Sequence, residues 1–239
     1  MLSEFKQTCK VILHRFPFLR TVLGPLYGNR KTNTVSKNIR GSNNSVSYSN
    51  SNMESVVFDI IGNGNQIVIG EACTLNSITF FIRGDNHRIQ IGKNCRFSNG
   101  GNLWMEDTGG QLEIGDQCSF VSVLLAVTEP DSKIIIGNDC MFASDIDVRT
   151  GDSHAIIDLE TNERINPAKN VTIGNQVWVA AHCIILKGVN IPDNSVIASG
   201  SVVTRYFSKT STIIGGNPAK VIKQGIRWSR NRHTPPGGS

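Results

Sequence analysis

Five histidines are spread through 239 residues, and His154, in the stretch GDSHAIID, stands among groups able to move a proton. An imidazole ionises near neutral pH and serves as general base or acid. Asp145, Asp147, Asp152 and Glu163 are near it in sequence. Any one of them could fix its tautomer, and the sequence does not choose; solvated loop charge is the ordinary role of such groups. His182 follows Trp178 by four residues and reads as a subunit-interface histidine. Taken alone, His154 could equally be an ordinary loop residue.

Other chemistries are less well supplied. The six cysteines, Cys9, Cys73, Cys95, Cys118, Cys140 and Cys183, form no C-x-x-C pair, so no structural zinc site is expected. A zinc hydratase needs three convergent histidines. Only His154 and His182 come close in the periodic frame, and His87 lies on an upstream turn. No metal is expected.

Composition sets the outer bounds. Hydrophobic residues make up 39% and charged residues 18%, which describes a globular chain rather than a disordered one. The net charge of +5 favours anionic partners such as a phosphate-bearing cosubstrate or an acidic glycan. Nucleic acid and an anionic membrane surface also fit the charge, but nucleic acid is not expected as a partner. The N-terminal stretch is interrupted by Lys10, His14, Arg15, Pro17 and Arg20, so neither a signal peptide nor a membrane span is expected. The expected location is the cytoplasm or the inner membrane surface.

The element that must position these residues is a repeat. VIGEAC, QIGKNC, EIGDQC and IIGNDC carry their Ile-Gly pairs at Ile69, Ile91, Ile114 and Ile136, a period of 22 or 23 residues. Such a period marks a solenoid. From Ile173 the finer period is six: Val179, Ile185, Ile191, Ile197 and Val203, with Val177, Cys183, Val189, Ser195 and Ser201 at the intervening small positions. This is the hexapeptide pattern of a left-handed parallel β-helix, an all-β fold of triangular coils. Upstream, Ile69, Leu75 and Phe81 are expected to mark three faces, with GDNH as an added corner. The cysteines fall at small interior positions, where they pack as buried hydrophobes rather than nucleophiles.

The expected layout has three parts. Residues 1–35 form a basic helical segment, packed on the assembly or resting on an anionic membrane. Residues 36–210 form the β-helix, with coils running from about Val46 to Phe207 and an irregular first coil or cap over 36–56. Residues 211–239 form the exit and tail, where Arg227, Arg230 and Arg232 read as solvated charge. Hexads run through Ile136, Phe142 and Val148, yet the next one, due at 154, appears only at Ile173. The 19 extra residues form an extruded loop, 152–170, with His154 at its base. A long excursion in an economical solenoid is more often functional than accidental.

From Ile136 to Gln224 the chain resembles the hexapeptide-repeat acyltransferases that use acetyl-CoA. It looks especially like the bacterial O-acetyltransferases of capsular and other surface polysaccharides, including sialic-acid capsules. The matching pieces are DSHAI, ERIN with NVTIGNQVW, VIASGSVVT and GGNPAKVIK. The resemblance implies a homotrimer, acetyl-CoA as donor and a carbohydrate acceptor, with His154 as the general base at a subunit interface. It makes Trp178 a wall of the groove and Ala180 or Ala181 the backbone donor to an oxyanion. It points to Ser199, Thr204, Arg205, Lys220 and Lys223 for the donor and its phosphates. A small sugar acceptor and a non-catalytic β-helix remain as alternatives.

Overall fold

The computed structural model describes residues 34–231 and 233. The helical segment expected over 1–35 and Cys9 therefore lie essentially outside the described residues, as do Arg232 and residues 234–239. The described chain is a β-helix of about eight coils with three parallel sheets as its faces. The first face stacks eight strands, from Val35–Arg40 to Val202–Val203. The second stacks seven, from Ser45–Tyr48 to Asn190–Ile191, and the third nine, starting at Asn52–Glu54. Every pairing is parallel except the last, where Thr212–Gly216 folds back on Ala219–Gln224 as an antiparallel hairpin across a cis Asn217–Pro218 bond.

The hexad frame holds from Ile173 onward. Ile173 and Ile191 pair on the second face, Val179 and Ile197 on the third, and Ile185 and Val203 on the first, all buried. Each coil thus places like residues above like. Phe97, Phe120 and Phe142 form one such stack, with ring centroids 4.5 and 4.7 Å apart. Cys73, Cys95, Cys118 and Cys140 form another, continued by Val177, while Cys183 stands in a separate column above Ile146; all five thiols are buried, each donating to a carbonyl of the next coil at 3.1 Å. A hydrogen bond from the neighbouring thiol, together with burial, pushes both Cys95 and Cys118 up to about 12. That is the packing role expected of them. One corner position completes the lattice: the side chains of Asp116, Asn138 and Asn175, each just after an Ile-Gly pair, and of Asp193, after Ile191-Pro192, each accept from the amide of the coil before.

Two expectations are corrected. Phe81 does not point inward; Ile78, Phe80 and Ile82 do, and Phe81 stacks outward on Trp104 at 4.0 Å. The first-face strands of the early coils run up to eight residues, with Ser77 in a left-handed conformation (φ 57°) shifting the frame before them. Of the irregular first coil or cap expected over residues 36–56, the structure shows a first coil, and a regular one. They contribute one strand to each face and open the solenoid at Val35. Among the described residues this coil has a neighbouring coil on one side only, and Val35 and Val46 are partly buried against the core.

The corner between the first and second faces is lined inside by buried polar groups: Asn65, His87, Ser132 and Thr150. Gly84 belongs here because a Cβ on it, at φ +130°, would lie 1.7 Å from the Asp107 carbonyl oxygen. His87 is 1% exposed. Its Nδ1 accepts from the Gly110 amide at 3.1 Å, and its Nε2 is buried with no partner among the described residues. Burial holds this imidazole below its ordinary value. It is therefore neutral in the folded chain at a pH where the unfolded chain already takes a proton. Stability is full above the unfolded value near 6.5 and is lost as pH falls below it, by up to about 1.4 kcal/mol per pH unit. Urea unfolding between pH 7.5 and 5.5 is expected to show this slope, and His87→Gln to reduce it. Equal slopes in both proteins would show that His87 is not its source.

Candidate functional site

The excursion leaves the first face at Arg149 and rejoins the second at Val171. Its middle is a small hairpin closed by an antiparallel bridge between Ile157 and Arg164. Asp158 caps the tip, its Oδ1 accepting from the amides of Glu160 and Thr161. The loop has little apolar core of its own: Ile156, Ile157 and Ile165 are exposed, and Leu159 is 98% exposed.

Polar bonds hold its base. Below, Glu129 of the preceding coil takes Arg164 in a bidentate pair at 2.6 and 2.9 Å, and also accepts from the Ala168 amide. Above, Lys187 of the following coil pairs with Asp152 and donates to the Asn166 carbonyl at 2.8 Å. The Lys187 ammonium holds the Asp152 carboxyl below the usual carboxylate range, as Arg164 does that of Glu129. Beneath the loop, Thr150 is fully buried, exchanging hydrogen bonds with the Thr128 backbone.

His154 is exposed at this base. Its carbonyl accepts from Asn166, whereas its imidazole makes no hydrogen bond or ion pair among the described residues. None of the four candidate carboxylates touches it. Asp145 lies 3.3 Å from His182 Nδ1, Asp147 is paired with Arg149, and Asp152 is held by Lys187 and Asn166. The carboxylate of Glu163 has no bond to it either. His182, exposed and left-handed at φ 59°, thus has a carboxylate partner of its own.

The remaining candidates lie elsewhere on the prism. Trp178 points outward from the third face, in register with Met141 and Val196. Its ring lies 6.2 Å from that of Trp228, whose Nε1 donates to the Gln176 carbonyl at 2.7 Å. Ala180 and Ala181 follow at the corner between the third and first faces. The Ala180 amide is committed to the Ile197 carbonyl. Of the pair left open by sequence, only Ala181 has an amide without an acceptor among the described residues. Ser199 stacks one coil further on and donates to the Ala181 carbonyl at 2.8 Å. Thr204 and Arg205 are exposed on the same corner as the loop, past Lys187. Lys220 and Lys223 lie exposed on the terminal hairpin.

Within one chain these residues form two groups separated by the first face. His154, Thr204 and Arg205 share one corner. Ala181 and Ser199 share the other, next to Trp178 and the hairpin lysines. Among the described residues, no group of three or more His, Cys, Asp and Glu is placed to hold a metal ion, and no helix is long and apolar enough to cross a membrane.

Sequence reasoning missed two features. Arg230 is not solvated charge: it bonds Asp139 and Ser119 at 2.8 Å each, and the carbonyls of Gln117 and Cys140. Asn166, within ERIN, is 7% exposed and central to the loop. Apart from its place in the ERIN piece of the resemblance, the sequence marks it only as a polar residue between Ile165 and Pro167.

No protein-family model matches the sequence. The chain is 35% identical over 88 residues to a polysialic acid O-acetyltransferase of Escherichia coli O1:K1 / APEC, covering 37% of this chain and 28% of that protein. It spans between a quarter and two fifths of the curated relatives it matches. Solved structures align much further. The polysialic acid O-acetyltransferase OatWY superposes with a TM-score of 0.77 at 32% identity, over 84% of this chain and 93% of that one. The polySia-specific acetyltransferase NeuO gives 0.72 at 29%, over 85% and 92%.

Proposed function

The chain belongs to the hexapeptide-repeat O-acetyltransferases, with their left-handed β-helix, and from that premise we propose that it transfers acetyl from acetyl-CoA to a sugar hydroxyl of a bacterial surface polysaccharide. The observation that carries the acceptor class is the alignment of nearly the whole described fold with two enzymes of polysialic acid. The basic net charge suits such a polyanion.

In this reading His154 takes the proton of the acceptor hydroxyl as its oxygen attacks the thioester carbonyl. The oxyanion of the tetrahedral intermediate is met by the Ala181 amide, whose hydrogen is uncommitted within the described chain. Collapse expels the CoA thiolate, and the His154 imidazolium returns its proton to that sulfur. No acyl-enzyme is needed, and the buried cysteine column offers no nucleophile. Trp178 walls the groove. Ser199, Thr204, Arg205, Lys220 and Lys223 serve the donor, the cationic ones its phosphates.

The two groups lie on different corners, so a homotrimer in which one copy's loop corner faces the next copy's Ala181 corner completes the site. The exposed Ile156, Ile157, Leu159 and Ile165 give such an assembly an apolar surface to cover.

The test is CoA release, followed by chromatography, with acetyl-CoA and acceptors from monosaccharides to sialic-acid polymers. Release that requires polymer is expected. Release with monosaccharides alone would reassign the acceptor. Failure to bind acetyl-CoA would place the chain among non-catalytic β-helices.

A further inference from the structure

Within one chain the loop carrying His154 buries little of its large aliphatic side chains, so packing on its own coils does little to fix its path. The polar bonds that do fix it converge on one carboxamide. Asn166 Oδ1 accepts from the Ile156 amide at 2.7 Å and from Arg164 Nε at 3.2 Å. Its Nδ2 donates to Asp152 Oδ2 at 2.9 Å and to the His154 carbonyl at 2.8 Å. Both hydrogens and both lone-pair directions are used, which saturates an asparagine. The amide orientation is unambiguous: two partners can only donate and two can only accept.

These partners bracket the histidine. Residues 152, 154 and 156 all answer to the same side chain, from positions 10 to 14 further along. Asn166 is in turn referred to the rigid coils on either side. Its carbonyl takes Lys187 from the coil above, and Arg164 ties it to Glu129 of the coil below. The imidazole itself enters none of this. The main chain beneath the ring is held, and the ring keeps both nitrogens for reactants.

We propose that Asn166 is a positioning residue for His154, fixing the segment from which the base projects and leaving the imidazole unencumbered. The role rests on the reading of His154 as the base. Displacing a catalytic group by about 1 Å can cost on the order of 10² in rate, and groups that hold a site need their own second layer of support. Asparagine suits this place because it both donates and accepts. Aspartate keeps the acceptor for Ile156 and Arg164, loses both donors, and sets a carboxylate against that of Asp152.

The test compares wild type, Asn166→Asp, Lys187→Met and His154→Ala, each in the full chain, with acetyl-CoA and a polysialic acid acceptor. Thermal midpoints establish folding, and hydrogen exchange is followed in the peptide spanning 152–158. Asn166→Asp is expected to lower kcat by about 10–100-fold, leave the KM for acetyl-CoA within about twofold, and speed exchange in that peptide alone. Lys187→Met, which retains the carboxamide and removes only the outer brace, is expected to shift kcat and exchange in the same direction by less.

Wild-type exchange in both variants would overturn the positioning role. So would wild-type kcat in Asn166→Asp beside an inactive His154→Ala, and that result would leave the base assignment standing. A KM for acetyl-CoA that rises as steeply as kcat falls would also overturn it, marking a general loss of structure. Full turnover in His154→Ala would remove the base, and the positioning role with it.

Discussion

His154→Ala is expected to lower kcat by about 10²–10⁴-fold, with the thermal midpoint and acetyl-CoA affinity unchanged. The size is what a positioned general base contributes, and at about 1.4 kcal/mol per decade it corresponds to roughly 3–5 kcal/mol of transition-state stabilisation. The second half of the expectation follows from the fold. The ring is exposed and bonds to nothing among the described residues, and only the residue's carbonyl is engaged, by Asn166. Alanine keeps that carbonyl. Rate and stability therefore separate at this position as they do at few others in the chain. Steady-state kinetics beside a thermal melt reads both. Loss of rate accompanied by a lower midpoint would mean that the imidazole has a structural role, and an unchanged rate would exclude it as the base.

The largest expected effect on stability comes from the opposite kind of residue. Phe120 is 1% exposed and lies between Phe97 and Phe142 in a continuous ring stack. Phe120→Ala is expected to cost about 3–5 kcal/mol, combining lost transfer energy, an unfilled cavity and two lost ring contacts. The cavity cannot readily close, because the spacing of neighbouring coils is set by their backbone ladders rather than by the side chains between them. Denaturant unfolding measures the loss, and Phe120→Leu should recover much of it. A cost under 1 kcal/mol would mean that the coils close on the gap.

How much of this was legible beforehand depends on what repeats. From Ile173 to Val203 each face carries one large inward residue, so counting by six reads the structure directly. Between Ile69 and Ile91 the same count fails at Phe81. The eight-residue strand there sends three residues inward, and nothing in a six-residue frame says which of two adjacent phenylalanines is among them. The loop announced itself by breaking the period, which drew attention to His154. Its internal bonding did not, because Asn166 reaches partners up to 14 residues back that no repeat predicts. Asp145 shows the same limit. Proximity in sequence made it a candidate partner for His154, yet coil stacking delivers it to His182, 37 residues away and one coil on.

The Arg230 contacts change the mechanical character of the solenoid. Coils ordinarily touch only their neighbours, so an array can fray from its end one rung at a time. Arg230 reaches Asp139, Ser119 and Gln117, partners 91 to 113 residues distant, and Trp228 fastens the same segment at Gln176. The irregular segment after the last strand thus laces rungs together like a drawstring that can be pulled tight only after those rungs have been laid down. Such distant closure raises the contact order and belongs late in folding. Once made, it converts the end of the array nearest the His154 loop from a series of separately removable turns into a block that opens together.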